Sequence, residues 1–121
     1  MIEGAGGLRI IECASGEAVL GSGRVVAVLG AGAALVELSG PSIYGMPQAI
    51  HLDAREAREL AAAMRHGPHL ARSAATTWRL QRSGQALEVE AVSGRSAVVL
   101  HGLRAIATTA DALERAGEWI A

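Results

Sequence analysis

Val25-Val26-Ala27-Val28-Leu29-Gly30-Ala31-Gly32-Ala33-Ala34-Leu35 is the stretch on which the fold turns. A strand running into Gly-x-Gly opens a dinucleotide-binding fingerprint, in which glycines admit a pyrophosphate to the backbone and a helix N-terminus receives its charge. That fingerprint asks for a third small residue where Leu35 stands. It also asks for a helix, whereas Val36 and Leu38 favour a strand and Ser39-Gly40-Pro41 stops the segment within a few residues. The glycines therefore read as a hairpin turn between two antiparallel strands.

Working outward, the first half supplies more strands cut by glycine. Leu8-Arg9-Ile10-Ile11 is followed by a turn at Ser15-Gly16, then Ala18-Val19-Leu20 and a turn at Gly21-Ser22-Gly23. In the second half Trp78, Leu80, Leu87, Val89 and Ala91 alternate with Arg79, Gln81, Glu88 and Glu90 around Ser83-Gly84, which signals a hairpin. Ser93-Gly94-Arg95 then turns into Ala97-Val98-Val99-Leu100. Residues 8–38 and 76–106 are thus expected to form antiparallel hairpins.

Two segments have helical period. From Asp53 to His66, Ala57, Leu60, Ala61 and Met64 fall on one stripe, and Asp53 with Glu56 makes a capping box. Gly67-Pro68 stops this helix. From Ala110 to Ile120, Leu113, Ala116, Gly117 and Ile120 form a second stripe, with Thr108 or Thr109 at its start.

The halves look related. Ser22-Gly23-Arg24-Val25-Val26-Ala27-Val28-Leu29-Gly30 lies beside Ser93-Gly94-Arg95-Ser96-Ala97-Val98-Val99-Leu100-His101-Gly102, and Leu8-Arg9-Ile10 beside Trp78-Arg79-Leu80. The first copy inserts a loop from Ser39 to Leu52 before its helix. Strands followed by a helix, twice, predict an α+β domain spanning residues 1–121, with a pseudo-repeat over 8–67 and 76–121. Each repeat is a three- to four-stranded antiparallel unit followed by one helix.

Composition bounds what such a domain can do. The chain has 121 residues, mean hydropathy of +0.28 and a net charge of −1. No apolar run approaches the roughly 18 residues that cross a bilayer, and the acidic N-terminus lacks the basic start of a signal peptide. A cytoplasmic protein with no membrane partner is expected. Cys13 is the only cysteine, so it reads as a small buried hydrophobe rather than half of a disulfide. All 11 basic residues are arginine, as in a GC-rich genome.

The residues that could carry chemistry do not converge in sequence. His66 and His69 flank the helix-breaking Gly67-Pro68, His51 precedes a helix and His101 ends a strand. Metal ligands mostly share one helical face, so no metal is expected. Cys13, Ser22 and Ser93 lack a nucleophile signature such as G-x-S-x-G, so no catalytic residue and no cofactor is assigned. Glu88 and Glu90 beside Arg79 and Arg95 read as a cross-strand charge network.

The layout of strands plus one helix, repeated over most of the chain, resembles the PUR-repeat and Whirly proteins. That resemblance implies single-stranded nucleic-acid binding on curved sheets, with Arg9, Arg24, Arg79 and Arg95 at equivalent places in the two copies, and with Trp78, as contacts. Charge and composition point the other way. Nucleic-acid binders of this kind use stacking rings beside a basic excess, while this chain has no Phe and a net charge of −1. By period two, Trp78 shares the core face of Leu80. Charge therefore favours surface arginines paired to glutamates.

Residues 25–29 and 33–38 are apolar on both faces, and one helix covers only one face of a sheet. A homodimer that buries Val26, Val28 and Val36 is expected on that ground. The reading reached is a small non-enzymatic binding or interaction protein, ligand unknown, acting as a homo-oligomer. The alternative is a single-stranded nucleic-acid-binding protein of PUR or Whirly type, and the second alternative is an enzyme of unknown reaction.

Overall fold

The computed structural model describes residues 2–3, 9–18, 21–30, 33–40, 48–66, 70–75, 77–92 and 96–120. The chain is α+β, with two antiparallel sheets and two helices. The first sheet has the order β1 (Ile2–Glu3), β2 (Arg9–Ala18), β3 (Gly21–Gly30), β4 (Ala33–Gly40) and β5 (Gln48–Leu52). Helix α1 (Ala54–His66) follows. The second sheet has the order β6 (Leu70–Arg72), β7 (Trp78–Ser83), β8 (Ala86–Ala91) and β9 (Ala97–His101), and α2 (Leu103–Ile120) ends the sequence of elements.

The hairpin reading of the glycine stretch holds. β3 and β4 are antiparallel neighbours from Arg24↔Ser39 to Gly30↔Ala33, with no helix between them. The Ser83-Gly84 hairpin also holds, closing at Ser83↔Ala86. Gly84 has φ of +60°, the left-handed geometry that tight hairpin turns require at their first central residue.

Helix α1 begins as its capping box specifies. The backbone N–H of Glu56 donates to Asp53 Oδ1 at 2.7 Å, and that of Asp53 donates to Glu56 Oε1 at 2.9 Å. Its stripe of Ala57, Leu60, Ala61 and Met64 is buried.

Several boundaries differ from expectation. Ser15-Gly16 and Gly21-Ser22-Gly23 are ladder positions rather than turns, paired as Ser15↔Arg24, Gly16↔Gly23 and Glu17↔Ser22. Glycine weakens a strand without having to end one. The pairing shifts between Glu12 and Ala14, at Cys13. The segment read as an inserted loop contains β5, which pairs with β4 from Val36↔Leu52 to Gly40↔Gln48.

Helix α2 starts at Leu103, so 103–106 are helical and not part of a hairpin. Gly102, with φ of +95°, makes the bend after β9, and the Ile106 N–H donates to Gly102 O. Thr109, read as a possible start, lies mid-helix, where its buried hydroxyl donates back to Ala105 O at 2.7 Å.

One hydrophobic cluster runs through both halves. It joins Val25, Ala27, Val36, Leu38, Ile50 and Leu52 of the first sheet to Trp78, Leu80, Leu87 and Val89 of the second, with both helix stripes between. The C-terminal helix crosses over. α2 follows the second sheet in sequence but lies on β2, β3 and β4 of the first. α1 follows the first sheet but is hydrogen-bonded to the second, where Arg82 Nη2 donates to the carbonyls of Ala63, at 2.7 Å, and of Met64. Those carbonyls belong to the last turn, where the helix itself offers no partner.

The layout of four strands and a helix recurs as β2–β5 with α1 and β6–β9 with α2. The residue alignment between halves does not follow it. Arg9 in β2 and Val25 in β3 sit on adjacent strands, whereas Arg79 in β7 and Val98 in β9 are separated by β8. Arg9 and Arg79 therefore occupy different places in their sheets.

Candidate functional site

The second sheet offers the surface with the most varied chemistry. Along β7 the burial alternates, so Trp78 and Leu80 face the core while Arg79 and Gln81 face outward. Register extends that outward face into two rows. Leu70, Gln81 and Glu88 are successive cross-strand neighbours in one, and Arg72, Arg79 and Glu90 in the other. These six residues line a groove of about 410 Å³.

Charges in the groove are partly used. Arg79 Nη2 donates to Glu90 Oε1 at 3.1 Å, the cross-strand pair expected of neighbouring opposite charges. Arg72 has no carboxylate partner among the described residues, and Leu70 is 68% exposed. β6 is the outermost strand of its sheet, so among the described residues one of its backbone edges carries no neighbouring strand.

Behind β6, a polar tie holds the β6–β7 connection to the start of α1. The buried Ser73 Oγ accepts the N–H of Thr77 at 2.7 Å and lies 2.9 Å from Thr77 Oγ1. Thr77 Oγ1 donates to Glu56 Oε2, and the Ala74 N–H donates to Glu59 Oε2 at 3.1 Å. Elsewhere on the helices Arg65 bridges Asp111 and Glu114. Those side-chain hydrogen bonds, Asp111 first, raise the guanidinium pKa above its already high value, so its charge is fixed.

The residues singled out in the sequence are distributed as follows. Trp78 is 1% exposed, on the core side of its strand, and offers no face for a base to stack on. Its Nε1 is buried without a hydrogen-bond partner among the described residues. Arg79, one residue on, is on the outer face, so the two do not converge. Arg9 pairs with Leu29 in β2–β3, and Arg24 sits between Ser15 and Ser39, both on the first sheet. The side chains of Arg9, Arg24 and Cys13 lie outside the described structure, as do Arg95, Tyr44 and His69 altogether. His51 Nε2 lies 2.9 Å from Glu37 Oε2 at the surface of the first sheet, and His66 is exposed at the end of α1.

Leu70 and Arg72 were not foreseen as site residues. The strand that carries them has three residues, too few for period-two alternation to register. The available signal was an apolar residue, Leu70, two positions past the Gly67-Pro68 break.

Comparison with family models, with curated proteins and with solved structures finds no match to this chain. No helix among the described residues is long and apolar enough to cross a membrane.

Proposed function

We propose that the chain is a small binding protein without catalytic activity, which engages a partner through the outer face of its second sheet. The observation that carries this reading is the groove over β6–β8, where a basic, an acidic, an amide and an exposed aliphatic side chain share one surface. Among the described residues outside the groove, Arg65 is paired with Asp111 and Glu114, and Ser73 with Thr77, which itself bonds Glu56. Such pairs fasten elements together and leave little to act on a substrate.

Self-association belongs to the same reading. On the first sheet Val25, Ala27, Val36 and Leu38 face the helices, so Val36 is buried by its own chain. Val26 and Leu35 are half-buried on the opposite face, and pairing makes Ile10, Val28 and Leu35 a cross-strand row. A second copy laid on that row would complete a two-fold dimer.

Native mass spectrometry of protein from its source, with hydrogen exchange on the intact species, tests both parts. A retained partner with slowed exchange over β6–β8 supports the proposal, as does a dimer with slowed exchange over β3 and β4. Slowed exchange confined to the outer surface of α2 would sink it.

A second reading, single-stranded nucleic-acid binding, draws on the recurrence of four strands and a helix. That is a likeness of layout, and layouts host many functions. The Arg79–Glu90 pair, the neighbouring Glu88 and the buried Trp78 weigh against it. Binding to an unstructured oligonucleotide at physiological salt is expected to be weaker than about 10 micromolar, as read by fluorescence anisotropy. Tight binding that falls steeply with salt would reverse the ranking of the two readings.

A further inference from the structure

The hydrogen-bond phase of β6 says which of its backbone groups are available. In an antiparallel pair, opposed residues alternate between those that exchange hydrogen bonds and those that turn their polar groups away. Ser73 N–H donates to Trp78 O at 3.1 Å, which fixes that pair as bonded. Counting back along the register, Arg72↔Arg79 is non-bonded, Ala71↔Leu80 bonded and Leu70↔Gln81 non-bonded. The far side of β7 agrees, since Val92 N–H donates to Thr77 O, which puts Arg79 and Gln81 in bonded pairs with β8. Leu70 and Arg72 therefore direct both N–H and C=O to the side of β6 that has no neighbouring strand among the described residues. Their side chains meanwhile stand together on the outer face, two residues apart.

We propose that this edge receives an extended peptide as a fifth strand of the second sheet, with an acidic side chain opposite Arg72 and an aliphatic one opposite Leu70. The proposal rests on the binding reading above and names its partner. Backbone bonding would come from the outward groups of Leu70 and Arg72, as in other cases of strand addition. Selectivity would come from cross-strand neighbours, which favour opposite charges and paired apolar groups. Arg72 supplies the cation because Arg79 beside it is already held by Glu90. Leu70 supplies the apolar contact at 68% exposure. A long apolar edge would risk pairing without control, whereas a three-residue edge ending in a charge restricts what can add.

The test uses the full chain and short blocked peptides of alternating valine and threonine with one central glutamate, read by fluorescence anisotropy. Saturable binding is expected. It should fall about tenfold or more when a lysine replaces the glutamate, and likewise when alternate peptide nitrogens on the bonded side are methylated. Arg72→Glu should exchange the preference, binding the lysine peptide over the glutamate peptide, which a merely misfolded variant would not do. Leu70→Pro removes one outward N–H that β7 does not use, and should weaken the glutamate peptide while far-UV circular dichroism stays unchanged. Equal binding of glutamate and lysine peptides, or no effect of methylation, overturns the proposal. So does a dimer that Leu70→Pro dissociates in sedimentation while no peptide binds, because the edge would then belong to a second copy. Absence of peptide binding alongside a retained partner on β6–β8 would refute the peptide and leave the binding reading standing.

Discussion

The two sheets of this chain are built from the same order of elements, yet the first is covered by the helix that follows the second. The first sheet has long strands, up to ten residues in β2 and β3, and its core face is covered by α2 from the far end of the sequence. The second has strands of three to six residues, and it reaches across to α1 through Arg82, Thr77 and the loop at Ala74. Had α2 folded back on its own strands, the halves would be two small units, each short of apolar area. Crossing over makes one core of both. The difference also separates roles: the long sheet carries the packing, and the short one presents the varied surface.

The comparison breaks most decisively if a half can stand alone. Residues 1–75 expressed by themselves are expected to show no cooperative thermal transition, because Val25, Ala27, Val36 and Leu38 lose α2. A half with native-like circular dichroism would mean that the crossover is incidental. Next in size is Leu113→Ala, which empties a fully buried position on α2. It should cost about 2–5 kcal/mol in denaturant unfolding, monitored on both sheets at once. A transition in which only the first sheet unfolds would show that the core is not shared.

Arg82→Ala removes a cation from the last-turn carbonyls of α1 and should cost about 1–3 kcal/mol by calorimetry, with the end of the helix exchanging first. Gly117→Ala has a smaller expected effect, from two opposed contributions. A Cβ there would lie 2.9 Å from Ala54 O, so α1 must shift, at about 1–3 kcal/mol. Alanine recovers about 1 kcal/mol of helix propensity, leaving a net loss near 1 kcal/mol in chemical denaturation. A gain in stability would show that the helices can separate freely. Smallest is Arg79→Ala, an exposed pair whose loss should change stability by less than about 1 kcal/mol. A larger cost would give the outer face a part in holding the sheet.

What could be read beforehand was what the chain decides locally. Asp53 and Glu56 satisfy each other across three residues, so α1 was legible from its first turn. Gly30-Ala31-Gly32 between branched residues was legible as a turn, and β3 and β4 pair accordingly. The start of α2 was not, because Leu103-Arg104-Ala105 carries no capping side chain and the bend is made by the backbone of Gly102. β5 was overlooked although Ile50 and Leu52 straddle His51 with the alternation of a half-buried strand. The destination of each helix was beyond reach for a different reason. A stripe such as Leu113, Ala116 and Ile120 says which side seeks cover, but any apolar sheet face answers that description. The site followed suit: Arg79 was found by its alternation, whereas Leu70 and Arg72 matter only because β6 is an edge.

The crossing of α2 onto the first sheet also sets an order of events during synthesis. β3 is finished at Gly30, but its cover begins at Leu103, roughly seventy residues later. At about 5–20 residues per second, the ribosome keeps that apolar face waiting for several seconds, long after hairpins close in microseconds. Throughout that interval a nascent chain carries the apolar strands of the first sheet without the helix that covers them, and polysomes hold many such chains close together. A cell making this protein in quantity must shield the first half until the last helix emerges.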